Sequence, residues 1–253
     1  MNQNSQGFLN SIPVVTRNLI IINGLIWLAQ FLLLKNGIDF SEYFGLHYFA
    51  SNDFKPHQII TYMFLHDPMS PAHVFFNMFA VFMFGRTLET VWGGKRFLTY
   101  YMLTGIGAGL VQMLVTYIRI HYLEIGLPAE AIADVYQNGT ALLNSMKNYA
   151  DPNLAEMNIL INTSTVGASG AVFGILLAFG MLFPNVELFI IPFPFPIKAK
   201  WFVIGYGLIE LGLGIANRSG DNVAHFAHLG GLVVGLIIIL YWKKKAKSDG
   251  RYY

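Results

Sequence analysis

Ser169 stands in Gly167-Ala168-Ser169-Gly170, at the head of an apolar run that continues to Pro184. A serine alcohol is a poor nucleophile until a base takes its proton, and a neutral imidazole within hydrogen-bond reach does so near pH 7. His225 and His228, in "AHFAHLGG" (224–231), are imidazoles at the start of another apolar run. His73 and Asn77, in "HVFFN", are four apart and so share one face of a helix. Acyl transfer also needs donors aimed at a developing oxyanion. The Asn77 amide, the His73 imidazole and the Ser169 backbone N–H, at the positive end of a helix, are suited to that task. No acidic residue stands near either late histidine within its run, and Asp221 precedes His225 in a loop. The pattern therefore predicts a Ser169–His228 dyad, with His225 on a neighbouring azimuth as a supporting residue. Zinc needs three or four ligands, and His73 with the two late histidines would supply three, but H-E-x-x-H is absent. The expected chemistry uses no metal.

These side chains must be carried by membrane elements. Of 253 residues, 55% are apolar and 12% charged, and the mean hydropathy is +0.50. A soluble domain of this length would need far more charged surface. The formal charge of +2 gives no reason to expect nucleic acid, and the absence of cysteine excludes disulfides and thiol chemistry. The polar stretch from Met1 to Pro13 has neither a basic n-region nor a small-residue cleavage site, so no removable signal peptide is expected.

Six apolar runs approach the length a spanning helix requires: 18–34, 73–92, 97–118, 167–183, 200–216 and 226–242. Asn23, Gln30, His73, Asn77, Gln112 and Glu210 interrupt them. Runs this continuous lack the alternation of barrel strands, so the fold class is an all-α membrane bundle. Placing the N-terminus in the cytoplasm puts Arg17, Arg86, Lys95, Arg96, Lys198, Lys200 and the basic tail 243–253 on the inner side. Only Lys35, Lys55, Arg119, Lys147 and Arg218 then lie outside, which favours both termini inside. The expected organisation is an inner segment 1–17, a membrane domain 18–242 and that tail. With this orientation the second, fourth and sixth spans all run inward. His73, Asn77, Ser169, His225 and His228 then converge near one depth. Gly170 and Gly174 supply the clearance for the sixth span, whose small-residue stripe includes Gly231 and Gly235.

Two outer segments are long. Residues 35–72 are too aromatic for a free loop and too polar to span, and are expected to lie partly in the membrane. Residues 119–166 carry short helical patterns suited to an amphipathic cap or a partly mobile segment. "IPFPFPIKAK" (191–200) is read as a Pro-punctuated turn on the inner side, and His66 as a loop hydrogen-bonder.

"GASG" opening the fourth span, "AHFAHLGG" opening the sixth, "HVFFN" opening the second and "GRTLETVWGGKRF" (85–97) closing it resemble the rhomboid family of intramembrane serine proteases. The resemblance covers roughly residues 56–242 and keeps the motif order. It implies a six-helix rhomboid-like bundle in the bacterial cytoplasmic membrane, cutting transmembrane or juxtamembrane segments of other proteins without metal or ATP. Ser169 would be the nucleophile and His228 the base, with His73 and Asn77 in the oxyanion hole. Arg86 and Glu89, three apart and otherwise read as an ion pair, would brace the loop after the second span. The resemblance also implies that 35–72 is a lateral hairpin and the fifth span a substrate gate. Where many members carry Trp-Arg in the first loop, this chain has His57-Gln58, which implies a different anchor. A non-catalytic binder of membrane segments would typically lack the serine or the histidine. A transporter would show inverted repeats and interrupted helices, and the sequence displays neither.

Overall fold

The computed structural model describes residues 11–189, 195–216 and 224–248. Five helices are long and apolar enough to cross a membrane: α1 (Val14–Leu34), α4 (Pro71–Trp92), α5 (Gly94–Leu123), α9 (Ala199–Ala216) and α10 (His225–Ser248). The fourth run is shorter than its hydropathy suggested. It forms α8 (Ser169–Leu182), only 14 residues long. Nearly all of α8 is buried, from Gly170 to Gly180 on every face, so it is the bundle's central post and not a wall facing lipid.

Four helices, α4, α5, α9 and α10, pack around α8, and glycine sets how closely α5 and α10 approach. A Cβ on Gly231 of α10 would collide with the Gly170 carbonyl, and one on Gly235 would come 3.4 Å from the Gly174 Cα. The clearance thus comes mainly from α10, whose glycines seat on the backbone of α8. Gly170 and Gly174 themselves point at Ala108 and Thr104 of α5. Buried Tyr100 ties the same layer by donating its hydroxyl to the Gly174 carbonyl at 2.8 Å. Without a hydrophobic force between helices in lipid, such close contacts and interhelical hydrogen bonds are what hold the bundle.

The other end of α8 leads into a two-residue antiparallel ladder, β1 (Glu187–Leu188) with β2 (Ile197–Lys198). The expected turn at 191–200 is therefore partly a ladder at the foot of α9, and residues 191–194 of it lie outside the described residues. α4 is helical throughout with a π-helical stretch at Val81–Gly85. Its last turn carries buried Glu89, whose carboxylate accepts from the Val15 and Thr16 backbone N–H groups and from the Thr16 hydroxyl, at 2.7 to 2.9 Å. Glu89 therefore caps the start of α1, an end with orphan donors and positive dipole. Among the described residues no ion pair joins it to Arg86, which is exposed and lies over the Phe82 ring. The start of α1 lies four residues before the expected span because this cap satisfies it.

Residues 35–70 fold as short turns of helix, α2 (Phe40–Phe44) and α3 (Gln58–Thr61), followed by a 3-10 turn at Tyr62–Phe64. Fully buried Gln58 anchors the segment by donating to the Tyr43 and Asp53 carbonyls and accepting from the His47 N–H. His57 Nε2 meets the Tyr43 carbonyl at 3.0 Å. The His57-Gln58 pair is thus the anchor of this loop. Residues 119–166 are not loose. α6 (Ala129–Asn144) and α7 (Pro152–Asn162) pack together over the end of α5, around Val135, Met157, Ile161, Ile120 and Tyr48. An Arg119–Glu156 ion pair at 2.6 Å and the Leu46–Thr165 backbone bridge tie this cap to α5 and to the first loop.

Candidate active site

The N-terminal ends of α4, α8 and α10 meet on one side of the bundle. Gly167, whose φ of 134° favours glycine, turns the chain into α8 so that Ser169 is the first helical residue. A Cβ on Gly167 would lie 3.1 Å from His73 Nε2 and 3.5 Å from Ser169 Oγ, which places the His73 ring beside the serine. Ser169 Oγ is 2.8 Å from His228 Nε2, joining α8 to α10 across the glycine contact.

The other side of the His228 ring shows what the sequence reading missed. His228 Nδ1 lies 2.9 Å from Glu210 Oε2, and His225 Nδ1 lies 2.6 Å from the same oxygen. The expected dyad therefore has a carboxylate behind it, and Asp221 lies outside the described residues. α9 runs antiparallel to α8 and α10, so a residue near its C-terminal end comes level with their starts. Val203, Gly207, Glu210 and Gly214 recur at helical spacing, with Gly207 against Leu232 and Gly214 against His225 and Phe226. Glu210 lies on this stripe and is 4% exposed, beside His225 at 8% and His228 at 9%. The signal was present in the spacing, but Glu210 was read as a break in a hydrophobic run and not as a member of a face.

This geometry assigns protons. With both Nδ1 atoms against the carboxylate, the tautomer that donates Nδ1–H leaves His228 Nε2 as the acceptor facing the serine hydroxyl. Phe173, one turn after Ser169, stacks on the His228 ring with centroids 4.4 Å apart and planes 8° apart. His73 Nδ1 accepts a long contact, 3.4 Å, from the Asp67 N–H, which leaves the ring proton on Nε2, facing Gly167. Asn77 is buried and donates one amide proton to the His73 carbonyl at 2.9 Å, leaving a second N–H. His66, fully buried, packs edge-on against His73 with centroids 5.0 Å apart. Neither of its ring nitrogens has a hydrogen-bond partner among the described residues, so it is not the loop hydrogen-bonder expected of it. Burial pushes its pKa down to about 3.

Of the residues singled out in the sequence, Ser169, His228, His225, His73, Asn77, Gly167 and Gly170 gather here. Arg86 and Glu89 lie at the opposite end of α4 and touch none of them. Glu210, His225 and His228 bring three possible metal-ligand atoms within 4.8 Å of one another. Two of these spacings, 2.6 and 2.9 Å, are the hydrogen bonds from the imidazoles to Glu210 Oε2.

The rhomboid domain model matches residues 53–126 and 130–245, which contain every one of these side chains. The chain is 27% identical over 177 residues to "Rhomboid protein 1, mitochondrial" of Saccharomyces cerevisiae, covering 70% of this chain and 40% of that protein. It is 27% identical over 180 residues to "Rhomboid protease AarA" of Providencia stuartii, covering 70% and 52%. It is 25% identical over 243 residues to "Rhomboid-like protein 11, chloroplastic" of Arabidopsis thaliana, covering 86% and 64%. The chain thus matches between 40% and 64% of the length of these relatives. With most of its length in the domain match and its apolar helices built for a bilayer, this multi-pass membrane protein belongs to the rhomboid family.

Proposed function

We propose that the protein is a serine endopeptidase that cuts other membrane proteins in or next to their transmembrane segments. The observation that carries this reading is the 2.8 Å contact between Ser169 Oγ and His228 Nε2, at the start of a helix buried on all sides. In the reaction the Ser169 proton passes to His228 Nε2 as Oγ bonds to the scissile carbonyl carbon, and the carbonyl electron pair moves onto its oxygen. That oxyanion lies toward His73 Nε2–H, the free Asn77 N–H and the Ser169 backbone N–H, at the positive end of α8. The C–N bond then breaks and His228 returns its proton to the leaving amine. A water, deprotonated by the same nitrogen, hydrolyses the acyl-serine.

A helical amide has its carbonyl bonded and shielded, so the substrate must unwind locally before Oγ can reach it. Segments with glycine, proline or small polar residues are the expected targets. α9 is the lateral gate in this reading, since it covers the histidine side of the site while Trp201, Ile204, Leu208 and Ile215 on its other face are exposed for lipid. The proposed orientation keeps both termini in the cytoplasm of a bacterial cell, with the site toward the outer surface.

Labelling of the detergent-purified protein with a serine-directed phosphonate tests the assignment. Wild type is expected to label, and both Ser169→Ala and His228→Ala are expected to lose labelling and, by more than about a thousandfold, cleavage of a transmembrane reporter. Labelling that persists in Ser169→Ala overturns the nucleophile. A wild type that neither labels nor cleaves overturns the enzyme and leaves a binder of membrane segments.

A further inference from the structure

Glu210 is a buried carboxylate on a helix that otherwise turns aliphatic side chains toward lipid. In α9 the buried residues are Ala199, Val203 and Glu210, so the half of the helix beside the active site is fixed by a charge and by glycine contacts with α10. A carboxylate at membrane depth is costly without partners and calls for a specific role. Here one oxygen accepts from two imidazoles, at 2.6 and 2.9 Å, and one of those imidazoles is in contact with the serine.

We propose that Glu210 is a positioning residue of the active site, holding His228 in the tautomer and orientation that activate Ser169, with His225 as its second anchor. The inference rests on the serine-protease reading above and completes it from a third helix. An isolated imidazole divides its proton between two nitrogens. Acceptance at Nδ1 leaves Nε2 bare toward Oγ, and the negative charge stabilises the imidazolium that forms when the serine proton arrives. The proton stays on the imidazole, Glu210 remains a carboxylate throughout, and no bond to it is made or broken. His225 keeps the same oxygen pointed inward, and Phe173 fixes the ring plane. Because Glu210 rides on α9, the base is aligned only while that helix is packed against α10. Moving α9 outward to admit a substrate would release the alignment until it returns.

Glu210→Gln keeps the size of the side chain and removes the charge. It is expected to lower kcat for the transmembrane reporter at least about thirtyfold, with KM within about threefold of wild type. The rate of phosphonate labelling at Ser169 should fall by a similar factor. Labelling needs no transmembrane segment to enter, so it separates activation from gating. A Glu210→Gln variant that labels at the wild-type rate, or changes KM alone, overturns the inference and leaves the serine assignment standing. Loss of both activities in wild type removes both proposals. If Glu210→Gln does not fold, as judged by its thermal transition in detergent, Glu210→Asp carries the test. Its carboxylate is drawn back by one methylene, so it should fold with a reduced kcat and labelling rate, and full wild-type rates in it overturn the inference.

Discussion

The imidazole of His228 is constrained on three sides by two neighbouring helices, α8 and α9. Glu210 accepts at Nδ1, Ser169 donates to Nε2, and Phe173 covers one face of the ring. Each contact removes a different freedom: the tautomer, the approach direction and rotation of the ring. His225 shares the carboxylate contact, and it is His228 whose Nε2 meets the serine. Removing His225 leaves Glu210 bonded to His228, which is the partner that matters. We therefore expect His225→Ala to retain cleavage within about tenfold of wild type, while His228→Ala falls to background. Initial rates on the transmembrane reporter measure this, and equal losses would reverse the assignment of the base. That Ser169, His228 and the His73–Asn77 pair would gather was legible in the sequence because each opens an apolar run, where a polar residue is conspicuous. Glu210 was not, because hydropathy along a run says nothing of azimuth. Only the packing of α9 on α10 shows that it turns inward.

Among the elements, the contact of α8 with α10 decides whether the serine and imidazole meet at all. Gly231 seats on the Gly170 carbonyl, so even one methyl there must push the helices apart. Overpacking of this kind costs about 1–3 kcal/mol. It should also pull Nε2 away from Oγ, so Gly231→Ala is expected to lose both thermal stability and cleavage. Gly212 of α9 gives the matched control, because nothing lies within 4 Å of the Cβ it would gain. Gly212→Ala should be neutral or stabilise by up to about 1 kcal/mol from helix propensity alone, with cleavage retained. Thermal unfolding in detergent, paired with reporter rates, compares the two. The small-residue stripes were visible in sequence, but not which helix each would face. Gly170 and Gly174 turn toward Ala108 and Thr104 of α5, and the relief that admits α10 comes from its own glycines. The cap formed by α6 and α7 was legible only as helical patterning. Its order depends on a small core shared with Tyr48 and Ile120, far apart in sequence.

At the scale of the whole molecule, α8 fails the length test for a spanning helix because it has no lipid to span. Every neighbouring helix is longer, and α8 is enclosed among them. Fourteen residues rise about 21 Å, against a hydrocarbon core of about 30 Å. At the Ser169 end the chain turns at Gly167 instead of continuing the helix. An α8 whose inner end is level with the inner polar boundary would carry Ser169 about 9 Å below the outer one, the length of about six helical residues. A series of reporters in which one helix-breaking pair slides along an otherwise constant transmembrane segment should be cut best when that pair lies about six residues inside the polar boundary. A cleavage profile independent of that position would count against it. A protease built this way would choose where to cut less by reading side chains than by measuring depth, with one truncated helix as its gauge.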